Sequence, residues 1–149
     1  MVRLEHVFKS FAAIKAVDDV SLDITRGAIT ILTGADGAGK STLFKMLVGL
    51  VKMDAGTILL NGSDIGGNSS RITSISGYMP ERFSLYSDLS VEENMNFFAA
   101  IQQVPLPRRE ELKKRLLERT GMGPFRKRRA GALSGGMKQK LALSTILLS

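Results

Sequence analysis

An α/β fold is predicted by three features of this 149-residue chain. Its first third alternates short β-like runs with turns, and its second half is helical. Between an apolar run at 28–33 and an amphipathic stretch at 42–50 stand eight residues, Gly34-Ala35-Asp36-Gly37-Ala38-Gly39-Lys40-Ser41. They fit the pattern G-x-x-x-x-G-K-[ST], which carries meaning because a strand precedes it and a helix follows it.

Taken in order, residues 2–8 and 17–24 read as strands, the second with Val20, Leu22 and Ile24 on one side. Arg26-Gly27 turns the chain into a buried strand at 28–33, and Gly49 lies near the stop of the helix at 42–50. A strand at 57–60 ends in Asn61-Gly62, a hairpin-type turn. Residues 64–70 form a polar loop, and 72–79 read as another strand closed by Pro80. Ser90-Val91-Glu92-Glu93 is a capping box opening a helix through Met95, Phe97, Phe98 and Ile101. Pro105 and Pro107 break it; Pro107 suits the first turn of the next helix, which runs to Thr120-Gly121. Ser134 is the N-cap of a last helix through Leu141, Leu143, Ile146 and Leu147. Strands first and helices second divide the chain into a β subdomain with the loop core at 1–82, an inserted helical subdomain at 83–133 and a closing helix at 134–149.

The loop physics selects a ligand class. Its glycines let the backbone turn so that successive N–H groups point into one concavity, and the following helix adds its positive dipole end. A di- or triphosphate fits such a cradle. Lys40 reaches the β- and γ-phosphates, Ser41 ligates Mg²⁺, and Thr42 adds a hydroxyl and an N–H. A second helix start, Ser134-Gly135-Gly136, has the same bare N–H groups and a hydroxyl, and so offers a second anion site.

Composition narrows the context. With no cysteine, disulfides and thiolate metal sites are excluded, and a reducing compartment is the default. No apolar run is long enough to cross a bilayer; the longest, 141–148, is broken by Ser144 and Thr145. The N-terminus has no apolar stretch of signal-peptide type. The net charge of +7 concentrates at Arg108-Arg109, Lys113-Lys114-Arg115 and Arg126-Lys127-Arg128-Arg129. Pairing of Glu110 with Lys114 and of Glu111 with Arg115 makes this a solvated helix face with a basic loop. No aromatics are interleaved to stack on bases, so no nucleic acid is expected.

The loop at Gly34 to Thr42 and the stretch Leu133-Ser134-Gly135-Gly136-Met137 together resemble the nucleotide-binding domain of ATP-binding-cassette (ABC) proteins, of the multidrug-exporter type. The resemblance runs the length of the chain. It implies a P-loop NTPase core, with Gly34, Ala35, Asp36, Gly37, Ala38, Gly39, Lys40, Ser41 and Thr42 as the Walker A loop. It makes Phe11 the aromatic that stacks on adenine, although from the residues alone Phe11 reads first as a core side chain. Ser134, Gly135 and Gly136 become the signature that touches the γ-phosphate held by a partner cassette, with Met137 in place of the usual Gln. His6, in the first strand, is structural. Implied cofactors are ATP and Mg²⁺. Implied partners are a second cassette, as homodimer or tandem domain, and a transmembrane permease that holds the protein on the cytoplasmic face of the plasma membrane.

Two departures from the family pattern matter. Glu81 stands at the Q-loop position, where Gln is usual; a carboxylate still ligates Mg²⁺ but adds negative charge beside the γ-phosphate, so slow hydrolysis, or a place as the weaker site of a pair, is expected. The apolar strand ending in Asp, the Glu general base and the later His of the family are not among these residues. The 149 residues are therefore expected to be truncated before Walker B, and to bind ATP without hydrolysing it. The leading function is the ATPase module of an exporter, with a soluble ABC ATPase acting on ribosomes or DNA as the alternative.

Overall fold

The computed structural model describes residues 1–65, 72, 76–80 and 85–148. The chain divides into two compact units, Met1–Ser76 and Gly77–Ser149.

In the first unit, β1 (Val2–Phe11) and β2 (Ile14–Ile24) form a long antiparallel hairpin, and β3 (Ala55–Leu60) and β4 (Ser63–Asp64) complete a sheet of order β2-β1-β3-β4. Helix α1 (Lys40–Leu47) follows the glycine-rich loop. Period-two alternation sends Leu4, Val17 and Ile58 to one side, where they pack with Leu43 and Met46 of α1. The turn at Asn61-Gly62 has both φ angles positive, 49° and 81°, matching the right-handed twist of its strands. His6 and Asp19 also take positive φ where the β1–β2 register shifts, and the bulge turns both side chains outward. His6 Nδ1 lies 2.7 Å from Asp19 Oδ1, so the sole histidine is an exposed cross-strand tie.

One expected strand is absent, and a second lies partly outside the described residues. Residues 28–33 are not part of the sheet, and Ile29 and Ile31 are 92% and 79% exposed. An apolar run forms a buried strand only where neighbouring strands meet its backbone, and among the described residues none does. Residues 76–80 likewise carry no strand, while Ile72 is buried in the core of the first unit.

The second unit is helical: α2 (Val91–Ile101), α3 (Leu106–Thr120) and α4 (Gly135–Ile146), with single 3-10 turns at Gly123–Phe125 and Ala130–Ala132. Its core joins Val91, Met95 and Ala99 of α2 with Leu112, Leu116 and Leu117 of α3 and Leu141 of α4. The closing helix thus shares one core with the helices before it. Local signals act as expected. Pro107 sits in the first turn of α3, and Gly121, at φ 67°, ends it.

The ion pairs differ from expectation. Glu110 meets Lys113 at 2.8 Å, and among the described residues the pairs Glu110–Lys114 and Glu111–Arg115 do not form. Lys113 is 4% exposed and donates to Asn96 Oδ1 at 2.7 Å. A buried ammonium attracts the nearby carboxylate more strongly than an exposed lysine one turn on. The basic run at 126–129 is held by its own unit. Arg126 makes two bonds to Glu92, Arg128 lies over the Phe125 ring, and the Arg126 and Arg128 carbonyls accept from the Glu92 and Val91 N–H groups.

The capping box at the start of α2 is complete: Ser90 N–H donates to Glu93 Oε2 at 2.7 Å and Glu93 N–H to Ser90 Oγ at 3.2 Å. The Ser90 backbone N–H first, and the Ser90 side chain second, hold the Glu93 carboxyl below its ordinary range. A lowered folded pKa stabilises above the unfolded carboxylate value, about 4.3, and that stability is lost as pH falls through the lower folded value. Acid melting of this unit is therefore expected to lose part of its pH dependence below about pH 4 in Glu93→Gln, which keeps the acceptor without the charge. Circular dichroism across that range checks it.

Candidate nucleotide-binding site

The glycine-rich loop is pinned to the β1–β2 hairpin at one point. Gly39, the residue before α1, takes φ 89°, and its α-carbon lies so close to the Ala16 carbonyl of β2 that a methyl there would overlap that oxygen. Only glycine combines the left-handed backbone with this approach. From there α1 begins with Lys40, with no side-chain cap and no acidic residue in its first turn. The first N–H groups of a helix have no acceptor within it, and the positive dipole end there favours an anion.

Lys40 turns back across the loop and donates to the carbonyl oxygens of Gly34 (2.8 Å) and Ala35 (2.6 Å). The ammonium is thereby held over the turn of backbone that runs from Gly34 to Gly39. Asp36, Gly37, Ala38 and Ser41 are exposed along this stretch, and Thr42 is half-buried in the first turn of α1. A cavity of 360 Å³ opens beside it, lined by Lys15, Ala16 and Val17 of β2, Thr33, and Gly39 and Lys40. That volume lies within the range of small-molecule sites.

Phe11 ends β1, opposite Ile14 across the hairpin turn, and is 48% exposed. The core alternative for this ring is thereby removed. In the second unit, Ser134 caps α4 by accepting from Met137 N–H at 3.3 Å, and Gly135 and Gly136 are exposed with open space where a Cβ would stand. The loop residues and Phe11 therefore belong to one unit and Ser134 to Gly136 to the other. Glu81 lies outside the described residues.

Among the described residues no group of three or more His, Cys, Asp or Glu side chains is placed to hold a metal. From the described residues a Mg²⁺ ion would take a hydroxyl such as that of Ser41 together with phosphate oxygens, which is how Mg²⁺ is commonly held with nucleotides. The sequence carries no signal for the Ala16 carbonyl, because that contact is made by backbone. It also gives no sign of the Lys9–Asp54 pair beside Phe11, whose members stand 45 residues apart.

Comparison with known proteins agrees with this geometry. The family profile described as "ABC transporter" matches residues 17–149. The probable multidrug ABC transporter ATP-binding protein YbhF of Escherichia coli is 47% identical over 133 residues, 89% of this chain and 23% of that protein. The sulfate/thiosulfate import ATP-binding protein CysA of Thermosynechococcus vestitus is 34% identical over 146 residues, 98% of this chain and 43% of that protein. The chain thus spans about a quarter to a half of these relatives. A solved ATP-binding cassette, described as a dimer in a post-hydrolysis state bound to ADP and Pi, has the same fold, with a TM-score of 0.83 at 24% identity; 99% of this chain and 69% of that one are covered. No helix among the described residues is long and apolar enough to cross a membrane. The chain belongs to the ABC transporter family and forms part of an ATP-binding domain of that family.

Proposed function

We propose that this chain holds ATP for an exporter, and that the complete protein couples hydrolysis of that ATP to transport. The observation that carries the reading is the pinned loop: Gly39 against the Ala16 carbonyl, Lys40 folded over Gly34 and Ala35, and an uncapped helix start behind them. In this reading the N–H groups from Gly34 to Thr42 surround the phosphates, and Lys40 exchanges its carbonyl partners for phosphate oxygens. Ser41, with Glu81, holds Mg²⁺, which neutralises phosphate charge when bound. Phe11 stacks on the adenine. Ser134, Gly135 and Gly136 meet the γ-phosphate on a second cassette, and a membrane permease is the further partner, which places the protein at the cytoplasmic face of the membrane. The division at 1–82, 83–133 and 134–149 belongs to the same proposal. Export is supported by the higher identity to the multidrug relative than to the import relative, 47% against 34%.

Lys40→Ala in the intact protein tests the central claim. Removal of a charge that contacts the transferring phosphate is expected to lower Mg²⁺-dependent ATP hydrolysis about a hundredfold or more. Hydrolysis at the wild-type rate overturns the reading. ATP-driven substrate movement away from the cassette side, in vesicles carrying the assembled transporter, separates export from import.

A further inference from the structure

The tip of the hairpin that carries Phe11 is braced from the other neighbour of β1. Asp54, just before β3, accepts from Lys9 Nζ at 2.7 Å and from Ser10 N–H at 2.7 Å, and its own N–H donates to Phe8 O at 2.9 Å. Phe8, Lys9 and Ser10, the three residues directly before Phe11, are thus tied to one aspartate. The Lys9 side chain is only 15% exposed, and its ammonium stands 5.3 Å from the centroid of the Phe11 ring, which remains 48% exposed. One side of the ring faces a held cation, and the ring still has open surface for a base.

The geometry points to Lys9 and Asp54 as positioning residues for the adenine ring, an inference that rests on the reading of Phe11 as the adenine-stacking aromatic. A cation against one face of an aromatic ring draws on its π electrons and favours an electron-rich purine on the other face. Asp54 fixes that cation in place and ties the Ser10 backbone, so the ring keeps its direction without a bound nucleotide. Lys9 first and the Ser10 N–H second hold the Asp54 carboxyl below its ordinary range, so the brace is charged at neutral pH.

Equilibrium titration of the intact protein with ATP and with inorganic tripolyphosphate tests this. Phe11→Ala is expected to weaken ATP and leave tripolyphosphate unchanged. Lys9→Met and Asp54→Asn are expected to weaken ATP roughly three- to tenfold, again without effect on tripolyphosphate. Lys9→Arg, which keeps a cation at the ring, is expected to retain the ATP affinity. Unchanged ATP affinity in Lys9→Met, with ATP weakened in Phe11→Ala, overturns the positioning role alone. Equal weakening of both ligands in Lys9→Met shows a purely structural role and also overturns it. Phe11→Ala without effect on ATP overturns the adenine reading itself.

Discussion

Gly39→Ala is expected to abolish measurable ATP binding by the intact protein, and Gly37→Ala to weaken it only modestly. Both glycines have positive φ, 89° and 79°, so both substitutions incur the left-handed penalty of about 1–2 kcal/mol. They differ in surroundings. Nothing lies within 4 Å of a Cβ at Gly37, whereas one at Gly39 overlaps the Ala16 carbonyl. That overlap involves backbone on both sides, so relief requires the loop and α1 to move away from β2, and the cradle opens. Backbone strain alone predicts about tenfold weakening for both variants. A difference of about a hundredfold or more between them, read by nucleotide titration, isolates the contact with Ala16. Equal affinities would show that this contact does not hold the cradle in shape.

Asn94→Ala is expected to destabilise the helical unit by about 2–4 kcal/mol, the largest effect expected away from the nucleotide site. Asn94 is fully buried on α2. Its Oδ1 accepts from Tyr86 N–H at 2.9 Å, and its two Nδ2 hydrogens are shared among the carbonyls of Tyr86, Leu89 and Ser90 at 3.0, 3.2 and 2.9 Å. One amide thus closes the backbone of 86–90 onto the helix. The same segment is joined to the approach to α4, since Ala130 N–H donates to Leu89 O and Gly131 N–H to Ser87 O, both at 2.8 Å. Truncation empties a fully buried side-chain site and takes the acceptor from the Tyr86 N–H, while the carbonyls of Tyr86, Leu89 and Ser90 keep the N–H groups of Leu89, Ala130 and Asn94. Faster hydrogen exchange at Tyr86 and Ala130, with the β unit unaffected, is the expected signature. Protection at the wild-type level would show that water or a neighbouring group takes over these bonds.

Much of the local structure is legible in the sequence because its causes lie within a few residues. The Ser90–Glu93 box, the Ser134 cap, Pro107 at a helix start, Gly121 at a helix end and the Asn61-Gly62 turn each act over one turn of chain. The glycine-rich loop is legible for the same reason. The apolar pattern of residues 28–33 misleads because it states a tendency to be buried and says nothing of which strands meet it. The helix-face spacing of Glu110 with Lys114 and of Glu111 with Arg115 misleads because burial of Lys113 redirects Glu110.

Three things follow from the order of residues without reference to packing: a phosphate-binding loop ahead of a helix, a second glycine-opened helix, and through them the family. These features depend on backbone freedom and hydrogen bonding between near neighbours in the chain. Packing was needed to rest Gly39 on Ala16, to hold Lys9 by Asp54 against Phe11, and to lock 86–90 with Asn94. Each of these joins groups that local propensity does not connect, and each is set by which strands and helices come together.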